Sequence, residues 1–245
     1  MSNQVNQGRP APQASPGDDV IVRVQGVKKT YQQGAVSVPA LRGLDLTLRR
    51  GEFTVLAGSS GSGKSTLLNL IGSLDEATEG GVEVEGRPLG EMSGAELAEL
   101  RLRRIGFVFQ AYNLIPVLSA AENAEYVLLL QGVPAAERRA RIGELLEAVG
   151  LAGMERRRPA ELSGGQQQRV AVARAIVTEP AVVLADEPTA NLDSQTKAEL
   201  ISLMSRLNEE QGITFLFSTH DDAIVRAARR VVRLKDGRIS SDEQR

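Results

Sequence analysis

Residues 55–70, VLAGSSGSGKSTLLNL, place seven Gly and Ser in the nine positions from Gly58 to Thr66, between two apolar stretches. A segment this flexible loses much conformational entropy on folding, so its use implies close backbone approach to something. FTVLA, 53–57, is a short continuous apolar run, as expected of a strand buried on both faces, and STLLNLIGSL has helical character. The Gly/Ser segment therefore joins strand to helix. In that setting Gly58-x-x-x-x-Gly63-Lys64-Ser65 is a phosphate-binding loop. Backbone N–H groups along Gly58, Ser59, Ser60, Gly61, Ser62 and Gly63 can converge on phosphate oxygens, and the helix starting near Lys64, Ser65 and Thr66 adds its positive end. Lys64 reaches the β and γ phosphates, and the Ser65 hydroxyl ligates Mg²⁺.

The second half of such a site is an acidic strand end. AVVLADE, 181–187, supplies an apolar strand delivering Asp186 and Glu187 where α/β sheets place their ligands. Asp186 suits a water-mediated Mg²⁺ role, and Glu187 can polarise the water that attacks the γ phosphate.

The rest of the chain alternates in the same manner. VIVRVQGV (20–27) and LDLTLRR (44–50) alternate as half-buried strands, separated by a loop with Tyr31, Gly34 and Pro39, so the N-terminal part reads as antiparallel sheet. GVEVEG, IGFVF (105–109) and ITFLF are further strands; GAELAELRLRR, residues 165–178 and SQTKAELISLMSRLNEEQ are helices, the last stopped by Gly212. In ERRARIGELLEAVG, Ile142, Leu145, Leu146 and Val149 fall on one helical face, within a helical insert at about 115–160. VVRLKDGRI is a hairpin turning at Asp236-Gly237. The predicted fold is α/β: a parallel sheet flanked by helices, with an antiparallel β subdomain and a helical insert, over 20–240. Residues 1–19 read as a disordered tail and 241–245 as a short C-terminal one.

Composition narrows the chemistry. A formal charge of −2 leaves no basic excess for nucleic acid, and with no cysteine there are no disulfides or thiolate chemistry. No run approaches the roughly 20 apolar residues of a spanning helix, so a membrane role is expected to go through a partner.

LSGGQQQRVAVARAIV is the discriminating segment. Ser163, Gly164 and Gly165 sit at a helix start, where a second anion could bind, or where Ser163 simply caps the helix. LSGGQ, ending at Gln166, resembles the signature of ABC-type ATPases. That resemblance implies a RecA-like core and a head-to-tail dimer in which Ser163–Gln166 bind the γ phosphate held by the opposite subunit. Tyr31 in VKKTYQQG then matches the aromatic that stacks on adenine, and Gln110 in FVFQ the glutamine that reaches Mg²⁺ and the attacking water. Asp193 in ANLD matches the aspartate contacting the other subunit, although an N-cap role for it also fits. His220, the one histidine, in FLFSTHDD, matches the switch histidine at the γ phosphate.

The resemblance covers residues 20–240, one cassette, with 122 residues between Lys64 and Asp186 (186 − 64). LLNLIGSLDEATEG, IGFVFQAYNLIPVLSAAENAEYVLLLQGV and LADEPTANLD resemble the lipoprotein-release and macrolide-export group of LolD and MacB type. It implies an ATP- and Mg²⁺-dependent homodimer on the cytoplasmic face of the inner membrane. The dimer would dock on permease subunits with large extracytoplasmic domains, with an adaptor or outer-membrane component as a further partner, and drive export or extraction of a hydrophobic substrate. The alternative is a cell-division ATPase of FtsE type that controls cell-wall hydrolysis. Ala190 stands where the group commonly has Gly, and AENAEYVLLL lacks a proline common in that segment near the expected docking surface.

Overall fold

The computed structural model describes residues 19–245; the expected N-terminal tail lies almost wholly outside them. The three continuous apolar runs become strands with little or no exposure: β3 (Phe53–Ala57), β7 (Val182–Asp186) and β8 (Phe215–Thr219). To introduce the others in chain order, β1 (Val20–Gln33), β2 (Val36–Arg49), β4 (Glu79–Val84) and β5 (Arg87–Pro88) form an antiparallel sheet of order β2-β1-β4-β5. The second sheet adds β6 (Ile105–Phe109), β9 (Arg230–Lys235) and β10 (Arg238–Gln244), in the order β10-β9-β3-β8-β7-β6. Its ladders are parallel from β9 to β6, and β10 runs antiparallel to β9.

The parallel sheet separates two cores because side chains alternate along each strand. Phe53, Val55 and Ala57 of β3 face one core with Val183, Ala185, Phe215 and Phe217. That core is closed by α3 (Ala120–Leu130), α4 (Ala135–Ala148), α5 (Gly164–Ile176) and α6 (Ser194–Gln211). Leu56, Leu184 and Leu216 face the other core, beneath α1 (Lys64–Ile71), α2 (Gly94–Arg104) and the antiparallel sheet. Each fully buried Leu there, such as Leu67 and Leu70 of α1, contributes about 2 kcal/mol of transfer free energy. The helix that carries the Gly/Ser loop is thus anchored through its buried face.

The expected α/β class, antiparallel subdomain and buried central strands are all present. Three local features differ. Tyr31 and Pro39 lie within the β1–β2 hairpin, paired as Tyr31 with Val38 and Thr30 with Pro39, not in a loop. Pro39 is tolerated because β2 is an edge strand. Residues 241–244, expected to be a tail, pair with β9. A short helix, α7 (Asp222–Ala227), follows β8 and is capped by Asp221.

In the helical insert, Ile142 and Leu146 of α4 are buried as their spacing predicts, and α3 packs against α4 and α5. Between β6 and α3 the chain is not helical: Tyr112 and Asn113 both take positive φ. Their carbonyls accept hydrogen bonds from the Arg174 guanidinium of α5, at 2.9 and 2.6 Å. Burial pushes the Arg174 pKa down from its ordinary value. Those bonds hold the turn in a backbone region that non-glycine residues seldom adopt.

Candidate nucleotide-binding site

The C-terminal ends of β3, β6, β7 and β8 converge on an open cleft of about 570 Å³. Its lining includes Ser60, Gly61, Gly63, Lys64, Ser65 and Thr66 from the loop, then Gln110, Glu187 and His220. Each of the last three follows or closely follows a parallel strand, so the sheet itself brings them together.

The loop's shape follows from its glycines. Gly63 sits at φ 104, and a Cβ there would come within 2.7 Å of Leu41 and 2.8 Å of the Ala40 carbonyl. Only glycine meets both demands. No side chain caps α1, and its first internal bond runs from Leu67 N–H to the Gly63 carbonyl. The N–H groups of Lys64, Ser65 and Thr66 precede that bond, which is the arrangement that receives an anion. Lys64 is buried, its Nζ donating to the carbonyls of Gly58 and Ser59 at 2.8 and 3.0 Å. Its charge is thereby held folded back over the loop, next to where a phosphate would be cradled.

The Ser65 hydroxyl donates to Asp186 Oδ1, at the end of β7, at 3.1 Å. A hydroxyl and a carboxylate oxygen are hard donors that suit Mg²⁺, a cation that takes one or two protein oxygens and completes its shell with water and substrate phosphate. No cluster of three or more His, Cys, Asp or Glu able to hold a metal occurs among the described residues, which is compatible with such a mixed shell.

Glu187 adopts φ 45, and its N–H donates to the Ser218 carbonyl at 2.9 Å. Both carboxylate oxygens are engaged. Thr219 Oγ1 donates to Oε2 at 3.1 Å, and His220 Nδ1 lies 2.7 Å from Oε1. With the carboxylate ionised the proton on that imidazole sits at Nδ1. Gln110 is exposed in the cleft, and its carbonyl accepts a bond of 3.0 Å from Asn191 Nδ2.

The remaining predicted residues lie outside this cleft. Tyr31 is not in its lining; its hydroxyl donates to Asp75 Oδ2 at 2.8 Å, and Lys29 Nζ stands 4.9 Å over the ring. Burial, with the Asp75 hydrogen bond, raises the Tyr31 pKa. Burial would raise that of Asp75, but bonds from Lys29 and Tyr31 outweigh it and hold the carboxyl below its ordinary value. The strand neighbour Val38 and the adjoining Pro39 do line the cleft.

Ser163 caps α5 in a reciprocal box: its Oγ accepts from Gln166 N–H at 3.3 Å, while Gln166 Oε1 accepts from Ser163 N–H at 2.9 Å. Asp193 caps α6, accepting from the N–H groups of Gln195 and Thr196 and from the Thr196 hydroxyl at 2.6 Å. These bonds hold the exposed Asp193 carboxyl below its ordinary pKa, the Thr196 hydroxyl contributing most. The two helix starts touch through Gly165 and Thr196. They form a second group that does not line the cleft holding the Gly/Ser loop.

The family model described as ABC transporter matches residues 41–190, which include the loop, Gln110, the LSGGQ segment and the acidic strand end. The chain belongs to the ABC transporter family. A lipoprotein-releasing system ATP-binding protein LolD of Anaeromyxobacter dehalogenans is 48% identical over 230 residues, 94% of this chain and 96% of the relative. A macrolide export ATP-binding/permease protein MacB of Syntrophobacter fumaroxidans is 44% identical over 224 residues, 91% of this chain and 31% of that longer protein. Among solved structures, an ATP-binding cassette of Methanocaldococcus jannaschii, a dimer in a post-hydrolysis state bound to ADP and Pi, superposes with a TM-score of 0.84. It is 42% identical, covering 91% of this chain and 98% of that one. No helix among the described residues is long and apolar enough to cross a membrane.

Sequence reasoning missed Thr219, Asn191 and Arg174. All three act through contacts more than 30 residues away in sequence, which no local pattern reports.

Proposed function

We propose that this chain is the ATP-hydrolysing subunit of an export or extraction system of LolD and MacB type. The observation that carries the reading is the single cleft holding Lys64, Ser65, Gln110, Glu187 and His220, with both oxygens of Glu187 engaged. The loop binds the phosphates of ATP, with Lys64 turning from its own carbonyls to the β and γ oxygens. Tyr31, tied to Asp75 beside the hairpin, stacks on the base. Ser65 and Asp186, with Gln110 reaching in, would hold a Mg²⁺ ion, which would supply neutralisation of developing phosphate charge. Glu187 accepts a hydrogen bond from water, the water oxygen attacks the γ phosphorus, and the bond to the leaving ADP oxygen breaks. His220 steadies the γ phosphate and the base.

Ser163–Gln166 and Asp193 do not line that cleft, which fits completion of each site by a second copy in head-to-tail arrangement. ATP then closes the dimer and hydrolysis releases it. The dimer works at the cytoplasmic face of the inner membrane, peripheral through a permease, with a periplasmic adaptor or outer-membrane component on the far side. A largely apolar groove of about 450 Å³ between α2, α3, β6 and α5, lined by Leu74, Phe107, Phe109 and Val127 together with Arg101 and Arg174, is the seat proposed for the permease.

Detergent pull-down with tagged Glu187→Gln and ATP tests the assignment. Recovery of a permease with a large periplasmic domain, together with an adaptor or channel, supports export or extraction. Recovery of a division-type permease with an activator of cell-wall hydrolases would replace it by the FtsE-like reading.

A further inference from the structure

We infer that Thr219 is a positioning residue for the water-polarising carboxylate, setting the plane in which Glu187 presents its free lone pairs. The inference rests on the reading of Glu187 as the base and adds a residue to it. Thr219 ends β8, is fully buried, and its hydroxyl both accepts and donates a hydrogen bond. The N–H of Asp221 donates to Oγ1 at 3.0 Å, and Oγ1 donates to Glu187 Oε2 at 3.1 Å. An N–H can only donate, so the first bond takes a lone pair of Oγ1 and leaves its single proton for the carboxylate. A carboxylate only accepts, so the backbone bond and the carboxylate together set the direction.

The anchor on the far side is equally tied. Asp221 accepts from Ala223 N–H at 2.8 Å and from Thr189 Oγ1 at 3.4 Å, and pairs with Lys197 Nζ of α6 at 2.5 Å. Burial opposes the charge on Asp221, but the Lys197 bond and the α7 N–H hold its carboxyl below the ordinary value. The chain of contacts thus runs from α6 through Asp221 and Thr219 to one oxygen of Glu187. His220, by contrast, is largely exposed and holds the other oxygen from a side open to solvent. Of the two partners of the carboxylate, the buried one sets geometry and the exposed one is free to move. A carboxylate oriented within hydrogen-bond reach of water loses effectiveness steeply when its orientation relaxes.

Steady-state ATPase assays on the full chain test this with Thr219→Val, Thr219→Ala and Thr219→Ser. The expected result is a fall in kcat of about tenfold for Val and Ala with KM for ATP unchanged, and near-complete recovery in Ser. In single-turnover assays, adding Thr219→Val to Glu187→Gln should cause no further loss, since both act through one group. Unchanged kcat in both Val and Ala, equal impairment in Ser, or an additive loss in the double variant would overturn the positioning role. Wild-type turnover in Glu187→Gln alone would instead remove the base assignment on which it rests. Unaltered KM separates loss of positioning from loss of fold.

Discussion

Gly165 packs the start of α5 directly against Thr196 at the start of α6, and its replacement by alanine is expected to separate them. A Cβ at Gly165 would lie 2.2 Å from Thr196 Cγ2, where ordinary contact begins at 3.4 Å. The shortfall of about 1.2 Å cannot be absorbed by void in a close-packed interface. Nor can Thr196 rotate freely, because its hydroxyl is bound to Asp193 at 2.6 Å and its N–H to the same carboxylate at 3.0 Å. Either the helices part or the Thr196 side chain gives up its cap contact. Overpacking of this kind costs about 1–3 kcal/mol, which for a chain of this size lowers Tm by about 2–4 °C per kcal/mol. Thr196→Ser removes the clashing methyl and keeps the hydroxyl. In thermal and urea unfolding, Gly165→Ala should be destabilised within that range, and Gly165→Ala/Thr196→Ser should regain most of the loss. A Gly165→Ala protein as stable as wild type, or an equal loss with and without the methyl, would refute the contact as the reason for glycine here.

Other variants follow from the same geometry. Lys64→Ala removes the buried ammonium folded over Gly58 and Ser59, and should weaken ATP binding by about tenfold or more in fluorescence titration, leaving unfolding cooperative. Glu85 is held below its ordinary value of 4.5 by hydrogen bonds from Arg104, against burial. A carboxyl depressed in the folded state stabilises above the unfolded pKa and ceases to as pH falls through the folded one. Denaturant midpoints between pH 6 and about pH 3 should therefore fall less steeply for Glu85→Gln than for wild type.

How much of this was legible follows from the range of the signals involved. β3, β7 and β8 were readable because strands buried on both faces need unbroken apolar runs. The α6 boundaries were readable because Asp193 and Gly212 are local stop signals. Loop, acidic strand end and LSGGQ helix could be placed because each motif fixes its own local structure. The long β1–β2 hairpin was cut short because Pro39 usually excludes a strand and is accepted only on an edge, which local sequence does not reveal. The turn at Tyr112 and Asn113 is imposed by Arg174 from α5, 62 and 61 positions away. Asp193 caps α6 through bonds two and three residues away, a local role its position before the helix announces, whereas Tyr31 is tied by Asp75 at a separation of 44 residues. Distant partners of this kind are set by topology and not by periodicity.

In the proposed function, Glu187 polarises water over a phosphate cradle that binds ATP without it, in a site completed by a second copy. Gel filtration of Glu187→Gln with ATP and Mg²⁺, with nucleotide content measured across the peak, tests that most directly. The expected result is a dimer carrying two unhydrolysed ATP molecules, reverting to monomer when nucleotide is removed. A monomer with ATP bound would contradict the shared site, and a dimer loaded with ADP would contradict the role given to Glu187.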